Sequence, residues 1–468
     1  MYIRDNTSFQ IQSPSEPKTL IVGAGFCGLA IAQALADIDG LIVVDAGSAF
    51  AEPAKWDKCA GTEPLIGEKY RARGFGGTVA LWGGYVAWPE QDDIDCKKTD
   101  GSNIWPVRYS ELSSWRRKAE AALGLSETAD AEGIAKACGI ANAIKDCGLS
   151  PRLWRFVQTS APKRPSKSVP IFLNTVLQEL IFSSDDKQVV GASIRCSEGQ
   201  RHEFPIRRVI LAAGGLENAR ILLSADQENR KRFSSWLGRG FMEHIVQEVT
   251  GLVVPNESWM GKIHKRINQN DCGEKALALA LPRALREKEK LPHAILHPFY
   301  HSANGAMSLG LMAEQRPRTS NRISLINKMN DDGIPRLSIS WAISPVDREY
   351  MSRSLMFFEQ SLLCAGAVNR AAGKWASLCD HAFSPPWCGH HMGTTRMGSS
   401  KSNSVTNSDG QVHGVSNLFV SGSSVFPTGG WANPTLLLLA LALRQASFIR
   451  NEENVGRMPP VSLLNPVR

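Results

Sequence analysis

The sequence lacks the features of a membrane or exported protein. Its most apolar stretch, Leu436 to Leu443, is followed directly by Arg444 and is far shorter than the roughly 20 apolar residues that a bilayer-spanning helix needs. The segment from Met1 to Lys18 is polar and contains neither the apolar core of a signal peptide nor a twin-arginine pair. We therefore expect a cytoplasmic protein with no membrane span.

Cysteine pairs and basic runs are missing as well. The ten cysteines never form a C-x-x-C pattern, which argues against zinc and redox motifs, so we expect buried free thiols and no metal. The net charge of +8 comes from scattered Lys and Arg, without the clustered footprint of a nucleic-acid-binding protein. With 468 residues, 43% of them hydrophobic, the chain has the composition of a globular protein and the length of two or more domains.

The N-terminal region has the pattern of a dinucleotide-binding unit. A short apolar strand over 19–22 leads into the glycine-rich segment 23–28, and an Ala- and Leu-rich helical pattern follows over 29–37. A second apolar strand over 41–44 ends at Asp45. This order of strand, turn, helix, strand and acid predicts a Rossmann-like site.

Each glycine of this G-x-G-x-x-G pattern has a physical role. Gly23 makes the tight turn, Gly25 lets the backbone approach the pyrophosphate, and Gly28 lets the helix pack on the strand. The unpaired N–H groups and the dipole at the helix N-terminus favour the phosphate charge. Asp45 is placed to accept hydrogen bonds from the ribose hydroxyls. The unit alone does not identify the dinucleotide.

The C-terminal region carries a candidate general base and an amide. A segment reading HHMGTTRMG begins at His390, and Asn433 lies further on, within VFPTGGWANPT. A neutral imidazole with a pKa of about 6.5 can take a proton near neutral pH, so His390 is the candidate base. Asn433 can donate to the oxygen that loses this proton. It can also cap the helix predicted over 435–449, with Pro434 in the first turn.

Four more segments carry a resemblance to a known family. They are a second glycine-rich loop over 74–84, a strand, turn and helix over 208–220, the segment LGRGFMEH over 237–244, and the stretch 314–347. In this order they resemble the glucose-methanol-choline (GMC) oxidoreductases, especially the pyranose-oxidase and bacterial sugar-dehydrogenase branch. The similarity runs from about Leu20 to Ile449. It implies bound FAD and the oxidation of a CH–OH group to a carbonyl.

The resemblance also assigns residues to the site. It implies that His390 is the base and that Asn433 is its partner. Family members that bond FAD covalently use a histidine at the position of Leu81, so we expect dissociable FAD here. The cofactor residues that the resemblance implies are, at the ADP-ribose, Gly23, Gly25, Gly28 and Asp45, at the adenine, Val176, and around the flavin, Gly76, Gly77, Thr78, Trp82, Gly214, Ser423, Ser424, Pro434 and Thr435.

Several other residues keep two interpretations. His391 is interpreted as a packing residue beside the base, and His244 is either a loop anchor or a direct participant. Trp88, Trp387 and Trp431 lie near the catalytic motifs in sequence. Tryptophan faces suit carbohydrate stacking, but tryptophans also fill cores.

The resemblance implies a polyhydroxylated alcohol as substrate: a sugar, a cyclitol or a glycoside, including aminoglycoside-type natural products. The hydride is expected to pass to flavin N5, and O₂ or another acceptor is expected to reoxidise the flavin. Two other functions stay open. One is a flavin-dependent NAD(P)H-linked reductase or hydroxylase, and the other is a catalytically silent flavin-binding protein.

The predicted fold class is α/β. A Rossmann-like FAD-binding domain is expected to be discontinuous, with residues 1–90, 160–240 and 388–468. Residues 91–159 and 241–387 are assigned to a substrate-binding domain built on an antiparallel sheet.

Local patterns place some elements of this second domain. Alternating apolar residues over 321–326 and 336–341 predict antiparallel strands joined by a turn at 330–333. Residues 347–364 are predicted to be helical. The polar segment 256–290 is interpreted either as a flap over the active site or as a solvated insertion.

Overall fold

The structure is a computed structural model that describes most of the chain. It describes residues 3–4, 18–53, 58–97, 101–125, 130–157, 169–197, 199–226, 232–249, 252–255, 258–264, 267–268, 274–300, 307–370 and 389–454. Trp387, one of the tryptophans singled out in the sequence, lies outside these ranges. So do Cys272, Cys379 and Cys388.

A six-stranded parallel sheet contains the predicted N-terminal unit. Strands Thr19–Val22 and Leu41–Val44 pair with each other and are fully buried, as expected for a parallel sheet covered on both faces. The helix between them, Phe26–Ala34, begins earlier than predicted because the chain enters it directly from the extended Gly25. In spatial order the strands are Ile3–Arg4, Ile171–Phe172, Leu41–Val44, Thr19–Val22, Arg208–Leu211 and Leu418–Val420.

A seven-stranded antiparallel sheet forms the other large layer. Its main path runs Ile245–Val249, Met307–Ala313, Ala294–Tyr300, Glu274–Ala280, Ser150–Phe156 and Tyr85–Val86, and Ile267–Asn268 pairs beside Glu274–Ala280. The α/β fold class with an added antiparallel sheet is therefore confirmed. This particular sheet is not predicted by local pattern. Its central strand reads EKALALA, which contains good helix formers, but pairing along both edges holds it extended.

The predicted hairpin forms a smaller sheet. Strands Arg322–Met329 and Pro335–Ser340 are antiparallel with Ile323 opposite Ile339, and the short strand Ala60–Gly61 adds to the second of them. Gly333 provides the turn with a φ of +72°, a conformation that glycine adopts without strain. The remaining sheets are Val176–Phe182 with Val189–Arg195 and Arg201–Pro205, Leu252–Val253 with Asn369–Arg370, and Glu52–Pro53 with Ala72–Arg73.

Helices pack against both large sheets. The α-helices are Phe26–Ala34, Pro64–Lys69, Gln91–Ile94, Tyr109–Ala122, Ala131–Ala137, Ala141–Asp146, Gly214–Ala225, Met260–His264, Arg283–Glu289, Pro345–Cys364 and Thr435–Asn454, and the 3₁₀ helices are Gly77–Leu81 and Ser423–Val425. Pro345–Cys364 begins at a capping box between Ser344 and Asp347. In the described ranges no helix combines the length and apolar character needed to cross a bilayer.

Part of the segment 256–290 is built into the protein core rather than being solvated. Met260 and Ile263 are buried in the same hydrophobic cluster as Leu277 of the central strand. This segment therefore contributes to the seven-stranded sheet and its core, although its composition is polar and charged.

The expectation of buried thiols holds for only some cysteines. Cys27, Cys59, Cys147 and Cys196 are buried, whereas Cys364 is exposed at the end of its helix. Burial raises the pKa of the Cys27 thiol to about 12, so this thiol stays protonated at neutral pH.

Candidate active site

One cavity of about 930 Å³ brings the two ends of the chain together. Its volume is near the upper end of the ~300–1,000 Å³ that is typical of ligand pockets. The predicted site residues that line it are Gly23, Gly25, Asp45, Gly76, Gly77, Thr78, Trp82, Gly214, His390, Ser423, Asn433, Pro434 and Thr435. Because the N-terminal turn and the C-terminal motifs share this cavity, a cofactor and a substrate can meet in it.

Three predicted residues do not line the cavity. An added Cβ at Gly28 would lie 1.9 Å from the carbonyl oxygen of Gly23, so Gly28 allows the close packing of helix on turn. Val176 is buried at the start of its strand. Ser424 is fully buried, and its Oγ accepts a hydrogen bond from Asn218 Nδ2 at 3.0 Å.

The N-terminal turn leaves space where phosphates would bind. Gly25 immediately precedes the helix Phe26–Ala34 and has an extended backbone. An added Cβ at Gly25 would have no protein atom within 4 Å. The helix N-terminus, with its unpaired N–H groups, therefore faces open cavity at this point.

Asp45 holds the loops at this end of the cavity. Its carboxylate accepts hydrogen bonds from the backbone N–H groups of Ala24 at 2.7 Å and of Gly47 and Gly74 at 2.9 Å. Burial raises the pKa of Asp45, and these hydrogen bonds lower it in part. A carboxylate has about four lone-pair positions, so the three backbone bonds leave one acceptor position for a ribose hydroxyl.

The second glycine-rich loop lies against the first. Gly76 and Gly77 have φ angles of +94° and +59°, and the Gly76 N–H donates to the carbonyl of Ala24 at 2.9 Å. Trp82 packs edge-on against Phe26 with ring centroids 5.3 Å apart. Leu81 also lines the cavity, and its side chain has no nucleophilic atom that could bond to a flavin.

His390 and Asn433 meet in the same cavity. His390 Nε2 is 3.3 Å from Asn433 Nδ2, and both residues line the cavity. Asn433 Oδ1 accepts a hydrogen bond from Trp154 Nε1 at 2.8 Å. The described bonds of this amide thus go to Trp154 and His390, rather than to the first turn of the helix Thr435–Asn454 that it was predicted to cap.

A short backbone bridge positions the base. Met242 and Met392 exchange two backbone hydrogen bonds, each 3.0 Å long. In this antiparallel register His244 lies opposite His390, and their Nδ1 atoms are 2.7 Å apart. Burial, and then the neighbouring histidines, holds the pKa of His390 well below 6.5. The imidazole is therefore neutral, in the form that accepts a proton.

Glu243 and His391 form a second buried pair on the alternate face of this bridge. Glu243 Oε2 accepts a hydrogen bond from the backbone N–H of His390 at 2.7 Å, and Oε1 is 3.3 Å from His391 Nε2. Burial raises the pKa of Glu243 to about 8 and lowers the pKa of His391 to about 3. Because burial disfavours the charged form of each group, both members of the pair are neutral.

Aromatic side chains that were not singled out in the sequence form one wall near the base. Tyr85 packs edge-on against Trp154 at 5.7 Å and against Phe156 at 4.4 Å, and His297 lies 4.9 Å from Trp154. All four line the cavity. They come from strands of the seven-stranded sheet whose sequences show no simple alternation, so no local signal marks them.

The tryptophans that were singled out lie elsewhere. Trp88 and Trp431 are buried, with 8% and 1% of their surface exposed, and neither lines the cavity. Trp431 lies beside His293. Both therefore fill the core rather than present a face to a ligand.

The residues present suit FAD. Open space at Gly25 adjoins a helix N-terminus, and Asp45 keeps one acceptor position beside it. The cavity is also lined by Pro434 and Thr435, where the helix Thr435–Asn454 begins. The positive end of a helix dipole stabilises nearby negative charge by about 0.3–1 kcal/mol or more, which suits the electron-rich edge of a reduced flavin.

The chain is similar to known oxidoreductase sequences. The family model described as GMC oxidoreductase matches residues 317–442. A 2-methyl-1,2-propanediol dehydrogenase of Mycolicibacterium austroafricanum is 23% identical over 81% of each chain. A 6'''-hydroxyparomomycin C oxidase of Streptomyces lividus is 23% identical over 59% of this chain, which spans about half, 51%, of that relative. A C-glycoside 3-oxidase of Arthrobacter globiformis is 33% identical over 31% of this chain and 27% of its own length.

Solved structures with the same fold are also similar over nearly the whole chain. A formate oxidase variant of Aspergillus oryzae superposes with a TM-score of 0.66 at 15% identity, covering 94% of this chain and 99% of that one. A pyridoxine 4-oxidase, given as from Mesorbium loti, superposes with a TM-score of 0.57 at 14% identity, covering 93% and 99%. At these identities the likeness is one of fold.

Proposed function

We propose that this chain, whose residues 317–442 match the GMC oxidoreductase family model, is an FAD-dependent enzyme that oxidises a CH–OH group of a polyhydroxylated substrate to the carbonyl. The proposed base is His390 and the proposed partner is Asn433. The observation that carries the proposal is their meeting, at 3.3 Å, in the same cavity as Gly25 and Asp45.

The proposed chemistry starts with the substrate hydroxyl placed between the two side chains. His390 Nε2 takes the hydroxyl proton while Asn433 Nδ2 donates to the oxygen, which becomes more negative as the proton leaves. That negative charge favours departure of the hydride from the same carbon. When bound, the flavin supplies the two-electron acceptor for this hydride. His390 would then hold the proton, and a bound flavin would supply the acceptor for the two electrons that leave with the hydride.

The cavity wall supports a sugar-like substrate. Tyr85, Trp154 and Phe156 form a continuous aromatic surface near the base, and aromatic faces stack well on the C–H face of a sugar ring. The relatives named above include oxidases of an aminoglycoside and of a C-glycoside. We therefore propose sugars, cyclitols or glycosides, including aminoglycoside-type molecules.

FAD is proposed to bind without a covalent bond. Leu81 occupies the position of the histidyl linkage and lines the cavity. Acid precipitation should therefore release yellow flavin into the supernatant. Flavin that stays in the pellet would contradict this assignment.

The domain division is also kept as a proposal. The strands of the parallel sheet fall within the three segments 1–90, 160–240 and 388–468, which supports them as one FAD-binding unit. The seven-stranded sheet comes from the other segments except for Tyr85–Val86. The boundary proposed at residue 90 therefore falls just after a strand that pairs with the second unit.

Anaerobic mixing tests the proposed function. The flavoprotein is mixed without oxygen with sugars, aminocyclitols, C-glycosides, 2-methyl-1,2-propanediol or NADPH, and the visible flavin absorbance is followed. Bleaching by a polyhydroxylated alcohol supports the proposal, and bleaching by NADPH alone would favour the reductase instead. If none of these bleaches the flavin, the silent flavin-binding protein is favoured. Admission of oxygen afterwards shows whether O₂ is an acceptor.

A further inference from the structure

The site contains a hydrogen-bond chain that crosses it from one side to the other. The chain links the carbonyl of Gly430, the two rings of His244 and His390, the amide of Asn433 and the indole of Trp154. The successive distances are 2.8 Å, 2.7 Å, 3.3 Å and 2.8 Å. Considered alone, each neutral imidazole could carry its proton on either nitrogen, and the amide could turn either its oxygen or its nitrogen toward His390.

The carbonyl of Gly430 determines which atom donates at each of the first two hydrogen bonds. A carbonyl oxygen only accepts, so His244 Nε2 must carry the proton that lies between them. His244 is fully buried and neutral, so its Nδ1 has a lone pair. His390 Nδ1 must then be the donor across the 2.7 Å contact. A neutral His390 that is protonated on Nδ1 has its lone pair on Nε2.

The Trp154 end fixes the same direction independently. An indole N–H only donates, so the oxygen of the Asn433 amide must face Trp154, as found at 2.8 Å. The amide nitrogen of Asn433 therefore faces His390 Nε2 at 3.3 Å. A nitrogen with two hydrogens needs an acceptor there, which again requires the lone pair on His390 Nε2.

We propose that His244 is a positioning residue that holds His390 in the tautomer whose Nε2 lone pair faces the substrate. The inference rests on the proposed function, in which His390 is the base. It resolves the two interpretations of His244 left open by the sequence, because this ring both anchors a loop through Gly430 and sets the proton position on the base.

The same contact serves the base after it has taken a proton. The resulting imidazolium still donates from Nδ1 to His244 Nδ1, and a hydrogen bond from a charged donor is about twice as strong as a neutral one. The stabilisation comes from protein groups alone, because His244 Nε2 in turn donates to the carbonyl of Gly430. Loss of the ring should therefore raise the barrier of the chemical step more than it weakens substrate binding.

Two substitutions at position 244 separate this role from simple packing. His244→Leu fills the space but removes the acceptor. His244→Asn places its side-chain oxygen near the position of Nδ1 and so keeps an acceptor for His390. The holoenzymes are compared by ¹⁵N NMR of histidine-labelled protein, with His390→Gln used to assign the signal of the base, and by stopped-flow flavin reduction with an alcohol that bleaches the wild-type enzyme.

The proposal predicts that wild-type His390 has a protonated Nδ1 and an unprotonated Nε2. His244→Leu should lower the limiting rate of flavin reduction by ~10²-fold or more with little change in the half-saturating alcohol concentration, since a wrongly set tautomer costs up to about 10⁴-fold in other histidine-based sites. His244→Asn should keep the wild-type tautomer and recover to within ~10-fold of the wild-type rate.

Two results would overturn the proposal. One is a wild-type His390 protonated on Nε2, and the other is equal loss of rate in the Leu and Asn variants with the tautomer unchanged, which would reveal a packing role only. The NMR measurement does not depend on turnover. An enzyme that fails to oxidise any alcohol would therefore contradict the proposed function without obscuring the outcome for the tautomer.

Discussion

Replacement of Glu243 by Gln should change how the stability of the protein depends on pH. Glu243 is fully buried, and burial raises its pKa from 4.5 to about 8. Gln has the shape of the protonated carboxyl group. Its oxygen can accept from the backbone N–H of His390, as the Glu243 carboxyl does at 2.7 Å. The folded site should therefore tolerate Glu243→Gln at neutral pH.

The size of the effect follows from proton linkage. Between pH 4.5 and about 8 the folded protein keeps the Glu243 proton, whereas the unfolded chain has lost it, so the free energy of unfolding falls as the pH rises. Each pH unit in this window corresponds to about 1.4 kcal/mol. From pH 5 to pH 7 the free energy of unfolding of the wild type should thus fall by on the order of 3 kcal/mol relative to that of Glu243→Gln, whose side chain cannot titrate. Above pH 8 the difference between the two free energies should become constant.

The assay is thermal or urea unfolding of both proteins at several pH values between 5 and 9. Glu217→Gln is a matched control, because Glu217 is a buried carboxylate whose pKa is lowered, against the effect of burial, by Arg220 and Arg71. Glu217 is ionised in both the folded and the unfolded protein above pH 5. The difference in free energy of unfolding between Glu217→Gln and the wild type should therefore stay constant over this range. A constant difference for Glu243→Gln as well would mean that Glu243 is ionised in the fold, and the neutral pair would be refuted.

Two further predictions concern the cofactor turn and the aromatic wall. Gly28→Ala should lower the melting temperature of the flavin-free protein, and the purified protein should contain less flavin, because the new Cβ meets the Gly23 carbonyl at 1.9 Å. Gly25→Ala should weaken FAD binding, measured by titration, without lowering that melting temperature. Equal melting temperatures for the two variants would contradict this. Trp154→Phe should lower the limiting rate of flavin reduction by ~10-fold, on the scale of one buried hydrogen bond, because Asn433 loses the donor that orients it; an unchanged rate would show that Asn433 is held by other contacts.

The nucleotide end of the site could be predicted because its signal is local. The strand, glycine turn, helix and terminal acid all lie within 19–45, and the two strands form over the predicted residues. The helix start differs because a glycine pattern does not define where the first helical turn begins. The roles of His390 and Asn433 came from a family resemblance, and the structure brings the two side chains together.

The aromatic wall could not be predicted because its cause is non-local. Trp154 lies in a strand with Arg152 and Arg155, both buried, so the strand shows no alternation of polar and apolar residues. Arg155 is accommodated by Glu120 at 3.1 Å, a residue from a different element. Trp154 reaches Asn433 across 279 positions of sequence, and no local pattern encodes such a contact.

The sequence leaves the role of His244 open for a related reason. The segment 237–244 carries part of the family resemblance, but the contacts of His244 depend on its register with the segment around His390, 146 positions away. Met242 and Met392 set this register through their backbone bonds. Only the paired arrangement shows that the two imidazoles face each other.

The most direct test of the account is the rate of anaerobic flavin reduction in His390→Ala, measured by stopped flow with an alcohol that reduces the wild-type enzyme. His202→Ala, on the sheet of Val176–Phe182 away from the cavity, is the matched histidine control, and the flavin absorbance of each variant reports cofactor content. We expect His390→Ala to retain FAD and to be reduced ~10²-fold or more slowly, the usual scale for loss of a general base, while His202→Ala keeps the wild-type rate. A flavin-loaded His390→Ala that is reduced as fast as the wild type would contradict the assignment of His390 as the base.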